Sequence, residues 1–344
     1  MPLELKRGTN FSHWLSQTDL TNREALETRI ARADFERMAG WGADHIRLPV
    51  DYELIESPEA GHELLADGLK YLDRAAQWAR ETKLRLVIDL HKTPGMSFHT
   101  PDQNDIWDRD DLQARFAGIW SGLARHYNSR TFDHLAFELL NEPTAEDNAD
   151  WNPIARAGLE AIRAVSRSRT VLIGSNKWCM PSTFPDMEDF KDPNVIYTCH
   201  FYEPFIFTHQ RASWCEWIAQ LDMVVEYPTT LPDLTAAARK ITTESGREQA
   251  RLYSGARLGP ERMEEYLRPA VAFCRKAGAP LYCGEFGVFM VAPVDSQLRW
   301  YRDVRELFRR HGVGWSNWDY RGGFALITPE GEERPIRQVL FPSP

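Results

Sequence analysis

An α/β fold, a (β/α)8 TIM barrel with a partly helical insertion after strand six, is predicted by three features of the sequence. Eight apolar, strand-like runs alternate with amphipathic segments. Several of these runs are almost free of polar residues, as strands buried on both faces require. The alternation breaks once, after the sixth run, in a long stretch of mixed polarity.

The runs cover residues 7–11, 45–50, 84–91, 135–142, 170–176, 195–202, 280–287 and 313–320. Helical spacing of apolar residues marks 22–39, 69–82, 112–127, 154–166, 261–277 and 297–310. A doubly wound open sheet would give a similar alternation, but no Gly-rich phosphate loop follows the first run. The barrel is therefore preferred, as a single catalytic domain over 1–344. No repeat beyond the strand–helix rhythm, no linker and no low-complexity tract is present. The break at 203–260 carries turn residues Pro228, Pro232 and Gly246. Loops this long in a compact domain are usually functional, so 203–260 reads as an inserted lid subdomain; a decorative insertion is the plain alternative.

At 344 residues and 43% apolar composition the chain can bury a large core. Its 12 Trp exceed what a core needs, and surplus aromatics suit a sugar-binding cleft. The net charge of −9 and the lack of any Lys/Arg-rich run argue against nucleic acid as a partner. The five cysteines fit neither a zinc site nor a redox pair, and read as buried thiols in a reducing compartment. No secretory leader or membrane-length apolar run is seen. The expectation is a cytoplasmic monomer, or a secreted one if a leader has been removed, with no membrane partner.

Active sites of such barrels form at the C-terminal strand ends. The runs end on Asn10, Arg47, His91, Asn141 with Glu142, Asn176, His200 with Tyr202, Glu285, and Trp318. One polar strand end means little. Converging from eight strands, two of them ending in Glu, they point to chemistry. Glycosidic cleavage needs an acid to protonate the leaving oxygen and a carboxylate to attack or stabilise the anomeric carbon. Strands four and seven face each other across a barrel mouth, so Glu142 and Glu285 could stand about 5 Å apart, the spacing for retention of configuration. Arg47 and Tyr202 are placed to bond Glu285 and keep it ionised as the nucleophile. Glu142, less paired and beside an anion, should have a raised pKa and serve as acid/base. Asn141 suits the sugar 2-hydroxyl, and Trp318 an apolar floor. No cofactor is implied. No His-x-His pair or bridging cluster supports a metal.

These strand ends resemble glycoside hydrolase family 5. The matching motifs are Ile46-Arg47-Leu48-Pro49, Asp89-Leu90-His91, Asn141-Glu142-Pro143, His200-Phe201-Tyr202, Gly284-Glu285-Phe286-Gly287 and the late Trp318. They occur in family order over nearly the whole chain. The resemblance implies a retaining (β/α)8 glycosidase, most often endo-acting on β-1,4-glucans or mannans. It carries family roles to Arg47, His91, Asn141, Glu142, His200, Tyr202, Glu285 and Trp318. The segment from His200 to Gln210, with the long insert after it, is similar to compact bacterial endoglucanases whose post-strand-six subdomain overhangs the cleft.

The chain departs from the family pattern in two places. Ser12-His13 precede Trp14 where many relatives have Gly-Gly, and a bulkier His13 would narrow the glycone side. Lys92 follows His91, and is expected to sit in solvent. Trp178, after strand five, is a candidate for stacking on a sugar beyond the cleaved bond, and His99 for the cleft wall. His45, His62, His126, His134 and His311 read as packing or surface residues. Cys199 and Cys283 read as core. The function inferred is a retaining endo-β-1,4-glucanase acting on an oligosaccharide or polysaccharide. An exo-acting β-glucosidase or another β-glycanase (mannanase, β-1,3-glucanase) is the alternative, and a non-catalytic carbohydrate-binding barrel is the alternative of a different class.

Overall fold

Eight parallel strands close on themselves in the computed structural model, which describes residues 1–60 and 63–342. They are β1 (Arg7–Asn10), β2 (His45–Asp51), β3 (Arg85–Lys92), β4 (Leu135–Glu138), β5 (Thr170–Gly174), β6 (Val195–Phe201), β7 (Leu281–Phe286) and β8 (Gly314–Asn317). Each pairs with its neighbour in sequence order, and β8 pairs with β1 to complete the ring. His62 lies outside the described residues.

Side chains alternate along each strand. On β3, Leu86, Ile88 and Leu90 face out into the main core, shared with the surrounding helices. Val87 faces in, where it meets Leu5, Ala136, Leu172, Ile196 and Tyr282. This small apolar plug closes the bottom of the barrel. Further up, the inward positions turn polar: Arg47, Asp89 and Glu138 are all fully buried. The polarity of the inner face thus rises toward the end where the strand runs finish.

Three predicted strands overshoot. The ladders of β4, β5 and β8 stop at Glu138, Gly174 and Asn317. Glu142, Asn176 and Trp318 therefore stand on the loops beyond. The backbone still bonds its neighbours there: Leu139 N–H donates to Leu172 O and Asn141 N–H to Leu90 O, each at 3.0 Å. Trp318 N–H and Tyr320 N–H do likewise with Phe286 O and Asn10 O. Apolar residues such as Leu139, Leu140 and Trp318 continue past the ladder ends, so the runs look like longer strands in sequence.

The helices that cover the barrel are α1 (Arg32–Gly40), α2 (Ala66–Glu81), α3 (Asp110–His126), α4 (Asn148–Arg163), α5 (Pro260–Ala277), α6 (Val294–His311) and α7 (Pro335–Leu340). The stretch 22–39, expected as one helix, is two. Asn22 caps a short helix (Arg23–Thr28) through Ala25 N–H at 3.0 Å, and the Asp34 carboxylate accepts from Ala31 N–H at 2.8 Å to start α1 afresh. Between β5 and β6 the crossover carries a 3-10 segment (Pro181–Asp186), where Pro181 and Pro185 lack the donors an α-helix needs. α5 packs on it through Phe273 and Phe184, rings 5.6 Å apart.

The stretch 203–260 folds into short helices, among them Glu216–Leu221 and Glu244–Tyr253, and a ribbon pairing Thr229–Thr230 with Arg257–Leu258. It is tied firmly to the barrel. Glu203 accepts from Tyr253 and from Arg262 of α5, and its carbonyl accepts from the Trp300 indole of α6. The Tyr227 hydroxyl donates to Asp303 of α6 at 2.8 Å.

Candidate active site

Arg47 is the centre of the barrel mouth. It projects inward from β2 and is wholly buried, so each of its donors needs a partner. Nε and Nη2 grip Glu138 at 2.7 and 3.0 Å. Nη1 donates to Asn10 Oδ1 at 2.8 Å and to Glu285 Oε1 at 2.9 Å. Nη2 also reaches Asn141 Oδ1 at 2.9 Å and Asp89 at 3.1 Å. One guanidinium therefore aligns groups from β1, β3, β4, β7 and the loop after β4. Its five N–H donors in a planar fork make this possible where a lysine would have three on a single nitrogen.

Glu285, on β7, is held at both oxygens: Oε1 by Arg47, and Oε2 by the Tyr202 hydroxyl at 2.9 Å. Both contacts match the sequence expectation. A register shift between Cys199 and His200 brings His200 level with Glu285. His200 Nδ1 lies 2.6 Å from Glu142 Oε1 and 3.7 Å from Glu285 Oε2. Glu142 is thus less paired than Glu285, as expected: His200 holds its Oε1, and its Oε2 has no partner among the described residues. Glu142, His200 and Glu285 each offer one ligand atom within 4.8 Å of the others. By spacing alone these three could hold a divalent cation, but Arg47 already supplies the neighbouring positive charge.

Four carboxyls (Asp89, Glu138, Glu142 and Glu285) share this pocket with one fixed cation, so they cannot all ionise together. Burial pushes Glu142 up to about 8, opposed by Arg47 and assisted by Asp89. The direction is the one expected. The first cause, however, is burial; Asp89 adds a like charge, and the mutual repulsion of Glu142 and Glu285 also raises Glu285. Burial also raises Glu285 to about 7, against the pull of His200, Arg47 and the Tyr202 hydrogen bond. Asp89 rises to about 7 for the same reason. Burial drives His200 down to about 4, so it is neutral.

The remaining predicted residues divide into cleft wall and scaffold. His91 Nδ1 pairs with Asp89 at 2.6 Å, its Nε2 meets the Gln17 amide at 2.9 Å, and its ring lies parallel to Trp318, centroids 5.8 Å apart. His13 is half-buried with its ring edge-on to Trp318 at 6.0 Å. Its neighbour Ser12 turns away to Asp319. Trp178 is 37% exposed and hangs by its indole N–H from Phe98 O at 3.4 Å. Phe98 lies tilted against exposed His99, centroids 4.1 Å apart, and packs edge-on against His91. Asn141 spends its oxygen on Arg47, and its amino group has no partner among the described residues.

Three expectations need correction. Asn10 cannot touch a sugar: it is fully buried, and its amide donates to Gly284 O and Asn317 O while accepting from Arg47. Asn176 is likewise buried, donating to Ala145 O. Lys92 is not in solvent but paired with Asp51 at 3.0 Å and Glu53 at 3.3 Å. His45 is a buried packing residue at the barrel base, bonded to Asp44, Tyr282 and Ser316.

Other site residues escaped the sequence reading. Asp89 and Glu138 anchor Arg47. They sit two residues before His91 and four before Glu142, so strand alternation alone puts each inward. Gln17, held in a left-handed turn (φ 53°), had no such signal. Nor did the aromatic wall that runs from Tyr202 through His209 and Phe324 to Phe289 and Trp214. Trp214, on the insert, ends that wall 58% exposed.

Comparison with known proteins gives the family. A family model described as cellulase (glycosyl hydrolase family 5) matches residues 8–323. Endoglucanase C of Acetivibrio thermocellus is 34% identical, covering 98% of this chain and 97% of its own length. Cellodextrinase A of Ruminococcus flavefaciens is 32% identical over 89% of this chain and 83% of its own. The fold superposes on the endoglucanase Cel5A structure from Thermotoga maritima with a TM-score of 0.76 at 21% identity, covering 98% and 96% of the two chains. The chain belongs to glycosyl hydrolase family 5 and is a glycoside hydrolase.

Proposed function

We propose that this protein is a retaining endo-β-1,4-glucanase, with Glu285 as nucleophile and Glu142 as acid/base. The observation that carries the mechanism is the spacing of the two carboxyls, whose facing oxygens fall within 4.8 Å. That suits direct attack followed by hydrolysis of a glycosyl-enzyme. Inversion would need roughly 6.5–9.5 Å to admit a water between carboxyl and sugar.

In the first step Glu285 attacks the anomeric carbon. The C–O bond to the leaving sugar breaks, and Glu142 delivers its proton to the departing oxygen. In the second step Glu142, now a carboxylate, takes a proton from water. That water attacks the anomeric carbon and expels Glu285. Burial keeps Glu142 protonated for the first step, while Arg47 and Tyr202 favour the charged form of Glu285. The Asn141 amino group is free to bond the sugar 2-hydroxyl.

The β-1,4-glucan specificity rests on the two curated relatives. A second reading, release of short products from chain ends, has its own support in the likeness to a cellodextrinase and in His13 beside Trp318. The insert, which carries exposed Trp214, acts in this proposal as a lid over the cleft. The whole site comes from one chain, which fits a monomer, and the unpaired cysteines fit a reducing compartment. No helix among the described residues is long and apolar enough to cross a membrane. A 2-deoxy-2-fluoro cellobioside with a good leaving group tests the mechanism. Mass mapping should find the sugar on Glu285; a label on Glu142, or an inverted first product by NMR, refutes it.

A further inference from the structure

Lys177, Trp178 and Cys179 are three consecutive non-glycine residues in the left-handed region, with φ of 50°, 59° and 55°. Each such residue is disfavoured by Cβ–carbonyl crowding. A run of three persists only if surrounding contacts enforce it, and such strain gathers at functional positions.

Besides the indole bond of Trp178 to Phe98 O, three hydrogen bonds tie this segment to one partner, the loop that carries Glu142. The Cys179 thiol donates to Asn141 O at 2.9 Å. Trp178 N–H donates to Pro143 O at 3.1 Å. The Asn176 amide donates to Ala145 O at 3.1 Å. The turn thus bonds every second carbonyl from 141 to 145, straddling Glu142. Gly174, at the end of β5, makes room for it, since a Cβ there would lie 2.6 Å from the Cys179 sulfur. The thiol is fully buried, and burial together with Glu142 and Glu138 keeps it protonated and able to donate.

We propose that the left-handed turn 177–179 is a positioning clamp that fixes the Glu142 carboxyl against the leaving-group oxygen, with Cys179 as its buried anchor. The proposal rests on the acid/base reading of Glu142. The strain has a use: one turn holds Trp178 out at the cleft edge while its backbone and the next side chain reach down to the 141–145 loop. An ordinary right-handed turn would send Trp178 and Cys179 in other directions. Small displacements of a proton donor are costly, because its reach is that of one hydrogen bond.

The test is kcat/KM over a series of aryl β-cellobiosides of graded leaving-group pKa. Cys179→Ala should lower the poorest leaving groups about fivefold, the worth of one hydrogen bond, and leave the best within about twofold. Cys179→Ser, which keeps a donor, should restore the wild-type slope. A second pair avoids the core. Trp178→Gly and Trp178→Val both remove the ring, but only valine resists a left-handed φ. The valine variant should therefore lose about fivefold more than the glycine variant, again on poor leaving groups only. Equal losses across the series in both pairs, or no loss, would overturn the clamp. A flat leaving-group response in Glu142→Gln would instead overturn the acid/base reading itself, so the two failures are distinguishable.

Discussion

Replacing Tyr202 by phenylalanine removes one hydroxyl and one hydrogen bond, the 2.9 Å contact to Glu285 Oε2. The bond favours the carboxylate, so its loss must raise the pKa of Glu285 further above its ordinary value. A hydrogen bond to a charged group is worth about 1.5–3 kcal/mol. At 1.36 kcal/mol per unit this is an upward shift of about 1–2 pKa units. Glu285 is 5% exposed, so solvent screens the change little. The nucleophile must be ionised; the acidic limb of kcat/KM against pH should therefore move up by that amount. The basic limb, set by the protonated form of Glu142, should move less. Because both carboxyls stand in one pocket, the limbs belong to the pair, and the bell should narrow from its acid side. Well below the limb, kcat/KM should fall about 10- to 100-fold, in proportion to the lost carboxylate. The assay is kcat/KM for an aryl β-cellobioside across the pH range in which the variant stays folded. A uniform drop with an unmoved acidic limb would refute the reasoning, and would mean that Tyr202 works on the substrate.

Glu142→Gln should abolish most activity on poor leaving groups and spare good ones, and the slope of log kcat/KM against leaving-group pKa measures this. Arg47→Met should cost about 3–5 kcal/mol in denaturant unfolding, because it strands Glu138, Asp89 and Glu285 beside one another without their cation. Trp214→Ala should raise KM on β-glucan severalfold with Tm nearly unchanged, since the indole is exposed; an unchanged KM on every chain length would count against the lid.

The barrel was legible because its signals are local. Apolar runs of strand length, alternating with helical periodicity, follow from burying two sheet faces and one helix face. Glu142 and Glu285 were legible because each ends such a run where an apolar residue would cost nothing. The misplaced strand ends have the same origin: Leu139-Leu140 keep the strand-like pattern after the ladder has ended at Glu138, and pairing is not a property of one chain segment.

Partnership was decided by the tertiary structure alone. Asn10 and Asn141 read alike as polar strand ends. One is sealed under Arg47 by carbonyls some 270 residues or more away in sequence, and the other keeps its amino group without a partner among the described residues. Lys92 finds Asp51 because β2 and β3 shift register between Val50 and Asp51. The sequence points to a raised pKa for Glu142 through a neighbouring charge, but the leading cause is desolvation, which depends on everything packed around a carboxyl and which no single residue encodes. The left-handed turn at 177–179 shows the same division. Nothing in Lys-Trp-Cys prefers φ near +55°; the loop bearing Glu142, brought alongside by the closure of the barrel, imposes it. Local sequence therefore sets which strands form and which chemical groups arrive at their ends. The folded barrel decided which of those groups face one another, which lose water, and which remain open to a sugar, because those outcomes depend on distances between segments far apart in the chain.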